Sequence, residues 1–467
     1  MQYVLDKLSA EIIDFNTQLP QLPVMQNVTP GEIREHLASG YDFSQPIPVD
    51  QLLDDVIQMM RRWGLQTTHP RYFGLFNPTT NLASIIADAL VALYNPQLAT
   101  WSHAPVANEI EEFILNYLMR YFGYDPATSA ANFTTGGAEA NLSAVLVALT
   151  HHFDSYGDDG LLETLDGQPL VYLSQEAHDS FVKIAHMTGL GRKALRVIPV
   201  DDRLKMDVSA LLAKYSEDRA AGHRPFMVVG TAGTTSAGVI DPLPELADLC
   251  QTHQLWFHVD AAWGGAAVLS PRLRGHLRGI KAADSITCDA HKWFSAPMGA
   301  GMFFCRHKDS VSQTFRVSAA YKPGETSEAV DPYATTIQWS RRFIGLKLFM
   351  ALAEAGVNNF AARIEHQADM GDSLRDGLRA SGWRIVNETP LPVVCFTHPQ
   401  LAAEQLSLLV EELYAQGTVW ISQTRLKGDV PALRACITSY RTQAEDVAFL
   451  VETLDNYVLL RATTLKR

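Results

Sequence analysis

Between residues 130 and 306, short apolar and β-branched runs alternate with stretches of helical period. The runs cover 170–174, 195–200, 226–231, 255–261, 285–288 and 300–305. Strands that are apolar throughout and separated by helices predict a largely parallel sheet covered on both faces. Upstream, Ile110, Phe113, Ile114, Tyr117, Leu118 and Tyr121 recur at the helical period. Pro105 suits the first turn of that helix, Glu109, Glu111 and Glu112 its positive end, and Gly123 its end. A second apolar helix is expected over 141–149, and residues 1 to 60 read as helical and peripheral. Residues 69–104, rich in Pro, Asn and aromatics, read as an irregular segment leading into a helix. Residues 307–340 have no periodicity and predict a long loop, a common form of lid. From Arg341 the chain is apolar on nearly every side (Phe343, Ile344, Leu346, Leu348, Phe349, Met350), which predicts a buried helix. Two helices around short strands at 383–387, 392–397, 418–423 and 432–438 predict a small α+β unit. The expected division is an N-terminal helical segment (1–100), a large domain (101–345) and a small C-terminal α+β domain (346–467).

Composition narrows the classes. The chain of 467 residues is too long for one small domain, and 47% hydrophobic with 19% charged residues is ordinary for a soluble globular protein. The apolar run 143–149 is far too short to span a bilayer. The N-terminus lacks a basic stretch followed by an apolar core, so neither signal peptide nor membrane is expected, and the cytoplasm is the expected location. Cys250, Cys288, Cys305, Cys395 and Cys436 are odd in number, scattered and never in a C-x-x-C pair. They read as reduced thiols, with no metal site expected. A net charge of −13 argues against nucleic acid as a partner.

Chemistry-bearing residues cluster at the predicted strand ends. Asp289-Ala-His-Lys-Trp293 follows a strand, and desolvation of Lys292 would make its amine a nucleophile toward a carbonyl; a surface lysine at a strand end is the alternative. In His258-Val-Asp-Ala-Ala-Trp-Gly-Gly265, Asp260 closes a strand and points into the crevice where α/β sheets bind ligands, or else caps a helix. Gly136 and Gly137, in Thr134-Thr-Gly-Gly-Ala-Glu-Ala-Asn141, let backbone N–H groups at a helix start approach a phosphate, or simply make a turn. His178, in Ser174-Gln-Glu-Ala-His-Asp-Ser180, could stack on a flat ring. Hydroxyls and glycines of 230–241, including Thr231, cluster at another strand end.

Taken in order, His69-Pro-Arg-Tyr-Phe, Thr-Gly-Gly-Ala-Glu-Ala-Asn, Ala-His-Asp-Ser, Gly-Thr-Thr, His-Val-Asp-Ala-Ala-Trp and Asp-Ala-His-Lys-Trp resemble the group II pyridoxal-phosphate decarboxylases over roughly residues 65 to 460. The family includes aromatic amino acid, glutamate, cysteine sulfinate and diaminobutyrate decarboxylases. The resemblance implies the type I, aspartate-aminotransferase-like α/β fold and pyridoxal 5′-phosphate as cofactor. It also implies a homodimer with shared active sites, 101–345 as the cofactor-binding domain and 1–100 as dimer-forming. By resemblance, Lys292 is the Schiff-base lysine and Asp260 the partner of the pyridine nitrogen. Ala262 lies beneath the ring and His178 above it, with Thr231 near His178. Gly137 and Ala138 form the phosphate cradle, joined by Asp289 and His291. Ala138 stands where relatives often have serine, and Asp289 where many have asparagine; the Asp289 charge beside a phosphate needs compensation.

Asp331-Pro-Tyr333 resembles the loop whose tyrosine acts in the neighbouring subunit's site, which makes Tyr333 the candidate acid that protonates Cα. Arg434 stands where type I enzymes often bind a carboxylate. The implied reaction converts an L-amino acid to its amine and carbon dioxide. In the glutamate and cysteine sulfinate branch an Asn-Gln pair occupies the place of Gly74-Leu75, so an acidic side chain loses its contact here. Phe76 and Trp101 add aromatic surface, and an apolar or aromatic substrate is expected. The alternatives are an acidic or diamino acid, or transamination, lyase chemistry or decarboxylative aldehyde formation on the same fold. A non-catalytic protein on a decayed scaffold is the rival from another class; the presence of both Lys292 and Asp260 argues against it.

Overall fold

The structure is a computed structural model and describes residues 1–164, 166–317 and 330–464. In the middle of the chain lie β1 (Ala130–Thr134), β2 (Pro169–Ser174), β3 (Leu195–Ile198), β4 (Arg224–Thr231), β5 (Trp256–Asp260), β6 (Ser285–Asp289) and β7 (Gly301–Cys305). They form one sheet in the order β1-β7-β6-β5-β4-β2-β3. Strands β2 to β6 are parallel, and β7 runs antiparallel to both β6 and β1. Every residue of β2, β5, β6 and β7 is buried, so these strands are apolar runs rather than alternating ones. The apolar pattern does not announce β1, Ala-Ala-Asn-Phe-Thr, which has one large apolar side chain and is supplied with a ladder by β7.

Helices α6 (Gly137–His152), α7 (Tyr156–Thr164), α8 (Ser180–Met187), α9 (Val208–Ala220) and α10 (Leu243–His253) lie between the sheet strands. Before them come α1 (Gln2–Gln18), α2 (Pro30–Gly40), α3 (Val49–Trp63), α4 (Leu82–Tyr94) and α5 (Pro105–Tyr121). None of α1, α2 and α3 contains a buried residue. They hold to one another by ion pairs such as Arg61 with Glu11 and Asp14 rather than by a core.

The expected loop over 307–340 begins with a helix, α11 (Lys308–Phe315), and its part 318–329 lies outside the described residues. The buried helix expected from Arg341 starts later, as α12 (Leu346–Ala380). Glu111 explains the delay. Its carboxylate accepts from the backbone of Ile344 at 2.9 Å and Gly345 at 2.8 Å and pairs with Arg341 at 2.6 Å. Those N–H groups therefore turn toward a side chain before the helix begins.

The C-terminal part holds α13 (Ala403–Gln416), α14 (Ala444–Thr464) and the antiparallel strands β8 (Arg384–Ile385), β9 (Val393–Thr397), β10 (Ser422–Leu426) and β11 (Val430–Cys436), ordered β10-β11-β9-β8. The two-residue alternation of this sheet is clean. Val393, Cys395, Ala432 and Cys436 join the core of the large sheet. Val394, Phe396, Leu433 and Ala435 join a second core with Leu409, Leu450 and Leu454. Along α12, Ala368 belongs to the first core and Leu374 to the second, so the chain passes between cores inside this helix.

Candidate active site

The parallel strands β2, β4, β5 and β6 end at one edge of the sheet, and each delivers a functional group there. Register fixes the spacing: Thr231 on β4 sits beside Asp260 on β5, which sits beside Thr287 on β6. Opposite them, α6 begins at Gly137 with Gly136 as N-cap and no side chain capping it. The result is a cleft of about 250 Å³. Eleven of the residues singled out from sequence line it: Phe76, Gly136, Gly137, Ala138, His178, Thr231, Asp260, Ala262, Asp289, His291 and Lys292.

Asp260 is 5% exposed. Its Oδ1 accepts from the Ala262 backbone at 3.1 Å and its Oδ2 from Asn141 Nδ2 at 2.9 Å. Lys292 Nζ stands 3.1 Å from Asp289 Oδ2 and 5.6 Å from the centre of the Phe76 ring. The lysine thus has an acidic neighbour, not the purely apolar surroundings that its flanking sequence suggests. The charge of Asp289 is met by Lys292, the compensation that sequence alone left open. His291 Nδ1 accepts from the Ala300 backbone at 3.0 Å, and burial pushes its imidazole below the ordinary histidine value. His178 is exposed in the cleft, and its Nδ1 accepts from Ser180 N at 3.1 Å.

The site fits pyridoxal 5′-phosphate on three observations. The Thr231 hydroxyl is buried in the cleft with no hydrogen-bond partner among the described residues. The uncapped start of α6 offers N–H groups to an anion. A Cβ on Gly137 would stand 3.0 Å from Asp289 Oδ2 and 3.2 Å from the Ala262 methyl, so glycine keeps that floor open.

Three sequence candidates lie outside this cleft. The segments that carry Trp101 and Tyr333 are tied to each other and do not line the cleft: Trp101 N donates to Asp331 Oδ1 at 2.8 Å, and Tyr333 N to Ala99 O at 3.1 Å. Tyr333 is buried against Trp339, ring centroids 4.6 Å apart. Arg434 lies behind the wall. Its guanidinium faces the Phe76 ring at 5.0 Å, with Nε bonded to Thr235 O at 2.9 Å and Nη1 to Gly74 O at 2.8 Å. Its Nη2 is buried without a hydrogen-bond partner among the described residues.

Sequence reasoning missed Asn141, Trp263 and Met298 as cleft residues. Asn141 left a signal, being the one amide on the buried side of an otherwise apolar helix, one turn after the glycine pair. Trp263 stacks on Phe76 at 4.6 Å, and the two rings form one wall of the cleft; Trp293 stacks behind Trp263 at 4.9 Å.

Comparison with known proteins agrees with this geometry. Residues 30–398 match the family model described as the pyridoxal-dependent decarboxylase conserved domain. The chain is 30% identical to an aromatic-L-amino-acid decarboxylase of Bacillus atrophaeus, over 93% of this chain and 91% of that one. It is also 30% identical to an L-2,4-diaminobutyrate decarboxylase of Acinetobacter baumannii, over 91% and 87%. Mouse CSAD superposes with a TM-score of 0.91 at 25% identity, covering 98% of both chains. The sheet and its C-terminal companion are therefore the type I fold. The chain belongs to the pyridoxal-dependent decarboxylase family, and it is a pyridoxal 5′-phosphate-dependent amino acid decarboxylase.

Proposed function

We propose that this enzyme decarboxylates an apolar or aromatic L-amino acid in a site completed by a second copy of the chain. The observation that carries the substrate reading is the Phe76 ring, which lines the cleft and stacks on Trp263. Burying an apolar side chain against it is worth about 1.5–3 kcal/mol, whereas a carboxylate without a partner is penalised there. Gly74 supports the same reading. A Cβ at that position would stand 2.4 Å from Tyr72 Cζ and 2.5 Å from the Trp420 ring, so the packing leaves no room for any side chain, the asparagine of the acidic branch included. Relatives act on aromatic, diamino and acidic amino acids by name, and an acidic substrate is the competing reading.

Pyridoxal 5′-phosphate supplies an electron sink into which the pair from the Cα–carboxylate bond passes as carbon dioxide leaves. Lys292 would hold it covalently, the start of α6 would take its phosphate, and His178 and Ala262 would bracket its ring. Asp260 would pair with the ring nitrogen. Arg434 would hold the Phe76 ring and the Gly74 carbonyl in place from behind the wall. Tyr333 of one copy would place its phenol proton on Cα in the other copy's cleft, and the amine then departs.

Sharing of the site is supported by what the single chain leaves uncovered. Leu93, Tyr94, Val106 and Phe113 on α4 and α5 are exposed, as are Ile337 and Trp339 beside Tyr333, and Met298 at the cleft itself. The coreless helices α1 to α3 point the same way. Mixing Lys292→Ala chains with Tyr333→Phe chains tests it. Each pure variant is expected to be inactive toward amine formation, and heterodimers to recover part of the activity. Absence of recovery in verified heterodimers refutes sharing.

A further inference from the structure

Asn141 makes every hydrogen bond its amide can: Nδ2 donates to Asp260 Oδ2 at 2.9 Å and Ser180 Oγ at 3.2 Å, and Oδ1 meets Thr287 Oγ1 at 2.7 Å and His258 Nε2 at 3.0 Å. Behind it, His258 Nδ1 meets Ser285 Oγ at 2.8 Å, and Trp256 Nε1 donates to the same Ser285 Oγ at 2.8 Å. All of these side chains are buried.

The two ends of this chain fix its direction. An indole N–H can only donate, and a carboxylate can only accept. Asn141 therefore presents Nδ2 to Asp260 and Oδ1 to His258 Nε2, because the reverse would set two acceptors face to face at Asp260. A neutral His258 must then carry its proton on Nε2 and accept at Nδ1 from the Ser285 hydroxyl, whose oxygen accepts in turn from Trp256. Burial pushes His258 down to about 4, which keeps the ring neutral with one N–H to place.

We propose that Asn141, oriented by His258, Ser285 and Trp256, is the positioning residue that holds Asp260 as an ionised acceptor toward the cofactor's ring nitrogen. This rests on the reading that Asp260 is the partner of that nitrogen. The bonds polarise one another in one direction, which strengthens the last of them, the bond to Asp260. Asn141 is thereby assigned to the electron sink, although it touches neither the chemistry at Cα nor the lysine.

Two measurements test this. The first reads the ring directly. Nitrogen NMR of histidine-labelled holoenzyme is expected to show His258 neutral at neutral pH with the proton on Nε2; a proton on Nδ1, or a cation, overturns the proposal. The second is the dissociation constant of pyridoxal 5′-phosphate, with folding checked by circular dichroism. Asn141→Asp, which keeps the shape but removes the donor, is expected to weaken binding about ten- to hundredfold. His258→Leu is expected to weaken it several-fold. His258→Gln, which keeps an N–H near the place of Nε2, is expected to recover most of that loss. Unchanged affinity in folded Asn141→Asp, while Asp260→Ala still loses affinity, overturns the role of Asn141 alone. Unchanged affinity in Asp260→Ala overturns the reading of Asp260 itself.

Discussion

Lys292 Nζ lies 3.1 Å from Asp289 Oδ2, an ion pair spanning three residues at the end of β6. The same carboxylate faces Gly137 at the start of α6, where an anion is expected. Asp289 is thus a counter-ion for the lysine and a like charge beside a phosphate. Asp289→Asn removes that repulsion and offers an amide donor. Cofactor affinity is expected to rise about tenfold, close to the worth of one charge-assisted hydrogen bond. Equilibrium titration of the variant checks this; weaker binding would make the carboxylate itself a requirement of the site.

Gly74 is held by sterics rather than by backbone strain. A side chain there meets Tyr72 Cζ at 2.4 Å and Trp420 at 2.5 Å, and those two rings already pack at 5.2 Å between centroids. Gly74→Asn is expected to cost about 1–3 kcal/mol, the range for overpacking a filled core. Thermal or denaturant unfolding measures it. The double variant Gly74→Asn, Leu75→Gln is expected to gain no activity on glutamate unless Trp420 is also made smaller.

Acid should weaken the fold through two buried histidines. Burial pushes both His69 and His258 from 6.5 down to about 4. The unfolded chain takes up protons first as pH falls, so the stabilisation is complete above pH 6.5 and is lost between 6.5 and about 4. Each contributes up to about 3 kcal/mol on this count. Urea unfolding at a series of pH values is expected to show the decline in wild type and a shallower one in His69→Gln. An equal slope in the two proteins contradicts the assignment for His69.

Much of this site is legible in the sequence because its parts fall at strand ends. The runs 170–174, 226–231, 255–261 and 285–288 stand out as apolar strands, and Ser174, Thr231, Asp260 and Asp289 fall within one residue of their ends. The features that are not legible depend on pairing across the chain. β1 has no pattern of its own and exists through its ladder with β7. The start of α12 is displaced by Glu111, a residue 230 positions before its partner Arg341. Asn141 stands within a recognisable motif, but its partners Ser180, His258, Asp260 and Thr287 are spread over α8, β5 and β6. The place of Tyr333 and Trp101 outside the cleft cannot be read from local sequence either, since it is set by contacts among Ala99, Asp331 and Trp339.

The substrate reading is tested most directly by kcat/KM for carbon dioxide release across a panel of L-amino acids. The aromatic wall formed by Phe76 and Trp263 predicts that at least one of phenylalanine, tyrosine, tryptophan, leucine and methionine exceeds glutamate and aspartate. The expected margin is about ten- to hundredfold, in line with burial of one apolar side chain. A higher kcat/KM for glutamate or aspartate than for all five apolar and aromatic substrates would contradict it.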